Sequence, residues 1–398
     1  MLKLYHAPQI LASLTIKGNY MSINEEHRLV RETARQFAQE QLLPFSGEWD
    51  KNAQYPHDAI KALGELGFMG MLVPAEFGGA QMDMTGYLLA IMEIAAGDAS
   101  CSTIMAVNNS VVCMPLLRYG SAWQKTEFLT PLAQGKMLGA FCLTEPQAGS
   151  DASHLLTQAI IDGDHFILNG TKQFITSGKH GDIAIVFAAT DKVLGKKGIS
   201  AFIVPTNTPG YLVTHLEEKM GQKASDTAQI VLENCRIPKT HLLGELGQGY
   251  KIALSNLEGG RLGIAAQSIG IAKAALQIAV DYAKSRETFG ALLCEHAVIR
   301  DYIADMATEI EAALSLLMSA ALKYESGEAA LSHASMAKLF SSQMAERVCS
   351  RALQILGGYG YLKDYRIEQL CRDVRVTQIY EGTSEVQKMV IARDILQK

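Results

Sequence analysis

Between residues 22 and 133 the apolar positions recur at helical spacing. Leu29, Thr33, Phe37 and Gln41 follow one another at i, i+4, and Pro44 after Leu42-Leu43 is expected to stop that helix. A short helix is predicted over 59–66, ended by Gly67. Beyond the loop 74–79, residues 84–96 and 99–117 make a nearly all-apolar pair, the pattern of helices buried on every side. Their many small residues leave room for a ligand, but tight helix packing is the simpler reason.

Near Lys136 the period falls to two. Short strands are predicted at 138–144, 160–161, 165–168, 173–176, 183–188, 199–204 and 230–233. Asp162-Gly163 and Asn169-Gly170 read as hairpin turns. After the glycine-rich stretch 244–249 the helical period returns, with long helices expected at 250–283, 296–325, 328–356 and 366–395. The fold class is therefore mainly α with a central β domain. Residues 22–135 form an N-terminal helical domain, 136–245 a small antiparallel β sandwich or barrel, and 246–398 a C-terminal four-helix bundle. Residues 1–21 carry little pattern and are expected to be an unstructured extension, with Met21 the natural start.

Composition narrows the class. The 398 residues are 48% hydrophobic and 19% charged, as in compact chains, and the net charge of −5 is spread without runs. That argues against a nucleic-acid or polybasic membrane surface. Seven widely spaced cysteines without a C-x-x-C pair argue against a disulfide framework or a zinc site, so no metal is expected. No uninterrupted apolar stretch is expected to span a bilayer; 262–280, the nearest, reads as a buried helix. Without a signal-peptide pattern, a cytoplasmic protein is expected.

Candidate chemistry concentrates at residues 379–387. Ser384 with Gln387 three positions on reads as a capping box, placing Glu381 in the turn just ahead of a helix. A carboxylate there, beside Ile379 and Tyr380, would become a stronger base in a poorly hydrated cleft; helix-dipole decoration is the bland alternative. Three further polar stretches stand out: 141–151, 174–178, and 354–360 with its paired glycines. No G-x-G-x-x-G follows a strand, so a Rossmann site is not indicated.

In combination these stretches are specific. "TEPQAGSD", "GTKQFITSGKHGD", "SRETFG", "QILGGYGY" and "IYEGTSEVQ" occur in an order that resembles the flavin-dependent acyl-CoA dehydrogenase family over residues 22–398. "SCSTIMAVNNS" adds likeness to its short-chain and short branched-chain members, of butyryl or isobutyryl type. The resemblance implies FAD, an acyl-CoA substrate converted to the trans-2-enoyl-CoA, an electron-transfer flavoprotein as acceptor, and a homotetramer.

By the same likeness Glu381 is the base that takes the α proton while the β hydrogen leaves as hydride to flavin N5. Some members carry that glutamate at the position of Gly260, which cannot serve here. The family pattern assigns FAD to Phe141, Leu143, Thr144, Ser150, Phe174, Ile175 and Thr176. It adds Arg286 and Phe289, reaching a neighbouring subunit's FAD, then Gln354, Gly357, Gly358, Thr383, Ser384 and Glu385. It assigns the acyl-CoA ester to Ser150, Glu258, Arg261, Tyr380 and Gly382. Departures are Phe174 for a frequent tryptophan, His154 for a small residue, Arg366 for a frequent proline, Gln369 for a basic residue, and Ala297 for a flavin-contacting glutamine. The alternatives are an acyl-CoA oxidase, a desulfinase, or a catalytically idle assembly factor; the intact Glu381 and the chain length speak against them.

Overall fold

The computed structural model describes residues 23–397. The extension at 1–21, the start at Met21 and the helix signal at Ser22 lie outside the described residues.

The N-terminal region is helical: α1 (Glu25–Phe37), α2 (Leu43–Asn52), α3 (His57–Glu65), α4 (Met84–Gly97), α5 (Ala99–Ala106), α6 (Met114–Tyr119), α7 (Ala122–Gln124) and α8 (Thr130–Ala133). Side-chain caps explain several starts. Asn24 accepts from the His27 amide, Asp83 from that of Gly86 and Asp98 from that of Cys101, each at 2.8 Å. Pro44 does not end the first helix. A π turn at Ala38–Leu42 leads directly into α2, where Pro44 sits in the first turn and needs no amide partner. The buried stripe of α1 is His27, Ala34 and Phe37; Leu29 and Gln41 face solvent.

The middle region holds β1 (Gly139–Cys142), β2 (Gln158–Asp162), β3 (His165–Thr176), β4 (Ile183–Ala189), β5 (Ile199–Pro205), β6 (Tyr211–Leu216), β7 (Thr227–Pro238) and β8 (Leu242–Leu243). Their order is β6-β7-β3-β2-β4-β5-β8, with β1 beside β4. The sheet is mostly antiparallel, but β1 and β2 lie parallel to β4, which the expectation of a purely antiparallel domain did not include. Strand β4 is buried on both faces. Ile183, Ile185 and Phe187 pack toward α6 and α8, while Ala184, Val186 and Ala188 join Phe166, Leu168, Ile230 and Leu232 inside the curled sheet.

Asp162-Gly163 does turn β2 into β3. Asn169-Gly170 does not make a hairpin: it is a bulge inside β3, which runs unbroken through both predicted strands. Gly170, at φ +153°, leaves space for Thr157, whose Oγ1 would lie 2.4 Å from a methyl there.

The C-terminal region contains α9 (Gly249–Ser255), α10 (Leu257–Ser285), the small hairpin β9 (Glu287–Thr288) and β10 (Ala291–Leu292), α11 (Ala297–Glu325), α12 (Leu331–Leu356), α13 (Ile367–Val374) and α14 (Ser384–Leu396). One continuous apolar core joins α1, α4 and α5 to α10, α11, α12 and α13, so the two helical regions are packed as one body. Arg366, in place of the expected proline, donates to the Ala96 and Gly97 carbonyls at 2.7 and 2.6 Å. It thereby caps the C-terminus of α4 with a cation. Gln369 donates to Ser46 Oγ at 3.0 Å within the same contact.

Among the described residues two helical stretches, Ala99–Tyr119 and Gly249–Ser285, are long and apolar enough to cross a membrane, contrary to expectation. Most of each is buried within the protein, 83% and 72% of their most apolar windows. All seven cysteines are free, and five of them are buried.

Candidate active site

The chain between α13 and α14 reverses at two consecutive left-handed residues, Glu381 (φ +52°) and Gly382 (φ +87°). A non-glycine residue in that region costs about 1–2 kcal/mol, so its surroundings must hold it. They do. Gln387 Nε2 donates to the Glu381 and Gly382 carbonyls at 3.0 and 2.8 Å, and Lys338 Nζ donates to the Gly382 carbonyl at 2.8 Å. The predicted capping box does not form, and the cap sits one residue earlier than expected. Thr383 is the cap, accepting from the Val386 amide at 3.3 Å, and Gln387 turns back to the carbonyls of the bend. Ser384 is the first helical residue, buried, and its Oγ has no partner among the described residues.

The Glu381 side chain fills the space left by Gly260 of α10. A methyl group at position 260 would stand 2.6 Å from Oε2 and 3.0 Å from Cδ. The residue keeps some exposed surface, but Oε2 is buried and unpartnered among the described residues. Burial holds the carboxyl above the usual carboxylate range, opposed by the charges of Arg261 and Lys338.

Arg261 is 4% exposed, donates Nη1 to Ser335 Oγ at 2.9 Å and leaves Nε unpartnered among the described residues. Tyr87 of α4 is fully buried, with its hydroxyl beside Gly263 and unpartnered among the described residues. Burial raises the pKa of that phenol, and Glu381 raises it further.

Tyr380 is fixed from the other side. Its hydroxyl donates to Gln267 Oε1 and accepts from Gln222 Nε2 at 3.2 Å. Gln267 in turn donates to Thr103 Oγ1 at 2.7 Å and to Ser102 Oγ at 2.8 Å. Gln222 belongs to the loop between β6 and β7, whose Asp226 binds the Lys179 amide at 2.9 Å and His180 at 3.0 Å. One loop thus links the bend at Glu381 to the end of β3.

At that end Phe174 adopts φ +58° and is 62% exposed, an uncovered aromatic ring. Ile175 turns inward at 2% exposure, so its side chain belongs to the core of the sheet. Ser177 is fully buried and its Oγ is unpartnered among the described residues. The loop after β1 is held by Glu145. It accepts from Lys172 Nζ at 2.8 Å and from the amides of Leu156 and Thr157 at 2.6 and 3.1 Å. Leu143 and Thr144 lie on the same seam. Their carbonyls accept from Lys172 Nζ at 3.3 Å and the Gln173 amide at 2.9 Å. Phe141 packs edge-on to Phe187, and Ser150 is exposed.

A third group stands apart. An open cleft of about 490 Å³ is lined by Arg286, Gly357, Gly358 and Tyr359, with the guanidinium 5.8 Å from the Tyr359 ring centroid. Phe289 nearby is 98% exposed. Gln354 and Glu385 are also exposed, and Glu258 is half-buried near the start of α10.

The fold therefore gathers Glu381, Gly382, Arg261 and Tyr380 around one carboxylate, and leaves Arg286 and Phe289 on an outer face. Sequence reading missed Lys338, Tyr87, Gln222, Gln267 and Lys172. The signal for Lys338 was available: it lies on a stripe of small buried residues, Ala334, Ala337, Ser341 and Ala345.

The chain matches the family models of the acyl-CoA dehydrogenase N-terminal domain over residues 24–136, middle domain over 140–235 and C-terminal domain over 247–396. It is 45% identical over 379 residues to the mitochondrial short-chain specific acyl-CoA dehydrogenase of Homo sapiens, spanning 95% of this chain and 92% of that one. The butyryl-CoA dehydrogenase of Megasphaera elsdenii superposes with a TM-score of 0.93 at 41% identity, covering 94% of this chain and 99% of that one. A chain in a structure concerning the electron transferring flavoprotein of Acidaminococcus fermentans superposes with a TM-score of 0.93 at 43% identity, covering 95% of this chain and all of that one.

Proposed function

This chain belongs to the acyl-CoA dehydrogenase family, and from that premise we propose that it oxidises a short acyl-CoA at its α,β bond with Glu381 as the base. The Oε2 of Glu381, buried in the space left by Gly260 and unpartnered among the described residues, is the observation that carries this reading. An α C–H beside a thioester is a weak acid, and a desolvated carboxylate with a raised pKa is a matched acceptor for its proton.

FAD is the cofactor of this family, and it supplies the acceptor for the β hydride when bound. The residues present fit a flat dinucleotide. Phe174 offers an uncovered ring, and Ser177 a buried hydroxyl without a partner among the described residues. At Gly357 and Gly358 a methyl group would meet nothing within 4 Å, so the backbone is open to close approach. Arg286 can pair a phosphate bidentately. Glu381 supplies the proton acceptor, Gln387 and Lys338 hold its bend, and the Tyr380 network keeps the neighbouring ring in place. In this reading the Glu381 backbone amide donates to the substrate carbonyl, where charge develops as the α proton leaves.

Short substrates are supported by the likeness to the Homo sapiens and Megasphaera elsdenii enzymes. An electron-transfer flavoprotein as acceptor is supported by the Acidaminococcus fermentans structure. The exposed Phe289 and Arg286 favour a homo-oligomer, a tetramer by resemblance, in which they meet a neighbour's cofactor.

Protein purified with FAD should be yellow, sediment as an oligomer and bleach anaerobically with butyryl-CoA. In a panel of C3 to C8 acyl-CoAs, straight and branched, the C4 members should bleach it fastest. A chain that cannot retain FAD, or retains it and is never bleached by any of these, contradicts the proposal.

A further inference from the structure

Helix α12 carries one cation where its neighbours are small and buried. Lys338 is fully buried, yet the hydrogen bond its ammonium makes is to a neutral carbonyl, that of Gly382, at 2.8 Å. Burying an ammonium costs several kcal/mol unless charge partners and hydrogen bonds offset it, and an apolar side chain would pack there at lower cost. What the lysine adds is specific to the bend. Lys338 from α12 and Gln387 from α14 put two donors on the same oxygen, and Gln387 also holds the Glu381 carbonyl.

We propose that Lys338 is a positioning residue for the dehydrogenation: it pins the Gly382 carbonyl, keeps Glu381 in its left-handed conformation over Gly260, and presents a positive charge to the carboxylate. This rests on the reading of Glu381 as base. The titratable and charged groups facing this pair are Tyr87 from α4, Arg261 from α10, Glu385 from α14, and Tyr380 on the Glu381 stretch itself. Arg261 is held by Ser335, so Lys338 is the cation tied directly to the bend. Its charge works against burial and lowers the Glu381 pKa. Without it the base would remain protonated to higher pH.

The test uses FAD-saturated Lys338→Met, which removes donor and charge, and Lys338→Gln, which removes the charge and keeps a donor. The kcat/KM for butyryl-CoA is followed against pH, with flavin content and thermal unfolding as controls. In both variants the acid limb should move up by about one pH unit. On the alkaline plateau Lys338→Met should lose about 10-fold or more in kcat, while Lys338→Gln stays closer to wild type. An unmoved acid limb in a flavin-replete variant overturns the proposal. If Lys338→Met does not fold, the limb in Lys338→Gln decides by itself. Failure of the underlying reading is separable, because it appears as wild-type turnover in Glu381→Gln with Lys338 intact.

Discussion

Glu145 and Glu381 each have a carboxylate enclosed near a buried lysine, and the molecule treats them in opposite ways. Glu145 in the β domain meets Lys172 at 2.8 Å, with side chains 1% and 0% exposed, and two backbone amides complete its oxygens. Burial works to raise its pKa, but Lys172 and these donors outweigh it and hold the carboxyl below the ordinary range. Glu381 has its lysine turned to a backbone carbonyl instead, one oxygen left bare, and a pKa above the ordinary range. A satisfied carboxylate is a fastener; an unsatisfied one is a reagent. The difference lies in where the donors point and not in which residues are present.

Breaking the fastener should give the largest change in stability. Glu145→Ala leaves Lys172 charged and enclosed, which should cost about 3–5 kcal/mol in denaturant unfolding. The double variant Glu145→Gln/Lys172→Met should recover most of that loss, because it leaves no buried charge behind and keeps an acceptor for the Leu156 and Thr157 amides. If the single and double variants lose equally, the pair is not the fastener. The depressed Glu145 pKa also sets a sign: its stabilisation is present above the unfolded carboxyl's pKa and is lost as pH falls through the folded value.

A smaller effect separates the second lysine. Burial depresses Lys338 to about 7, from the 10.5 of an ordinary lysine. The unfolded chain therefore holds more protons between those values, so the cost of burying Lys338 is full below pH 7 and fades as pH rises toward 10.5. Lys338→Met should raise Tm by roughly 2 °C at acidic pH, with the gain shrinking on the alkaline side. A gain that grows with pH would have the wrong sign. Stability gained where activity is lost is the pattern of a residue kept for chemistry.

Much of the architecture was legible because periodicity survives packing. The all-apolar pair α4 and α5, the return of helix after residue 249 and the turn at Asp162-Gly163 all follow from local pattern. What local pattern missed was decided by distant partners. Asn169-Gly170 looks like a hairpin until Thr157 is seen packed against Gly170, and Pro44 looks like a stop until the π turn before it removes the conflict. Strand β6 escaped notice because five of its six residues face solvent, so no apolar alternation marks it. At the site, the Glu381 bend was readable, and so was the glycine at 260, but not that one fills the other. Lys172 was unreadable as a buried group, since a lysine in a strand is ordinarily at the surface, whereas the small residues around Lys338 marked its face of the helix as buried.

The central claim is that Glu381 takes the α proton. Anaerobic stopped-flow bleaching of FAD-loaded Glu381→Gln by butyryl-CoA tests it most directly. The variant should keep its flavin and bleach about 10²-fold or more slowly than wild type. Bleaching at the wild-type rate would place the base elsewhere.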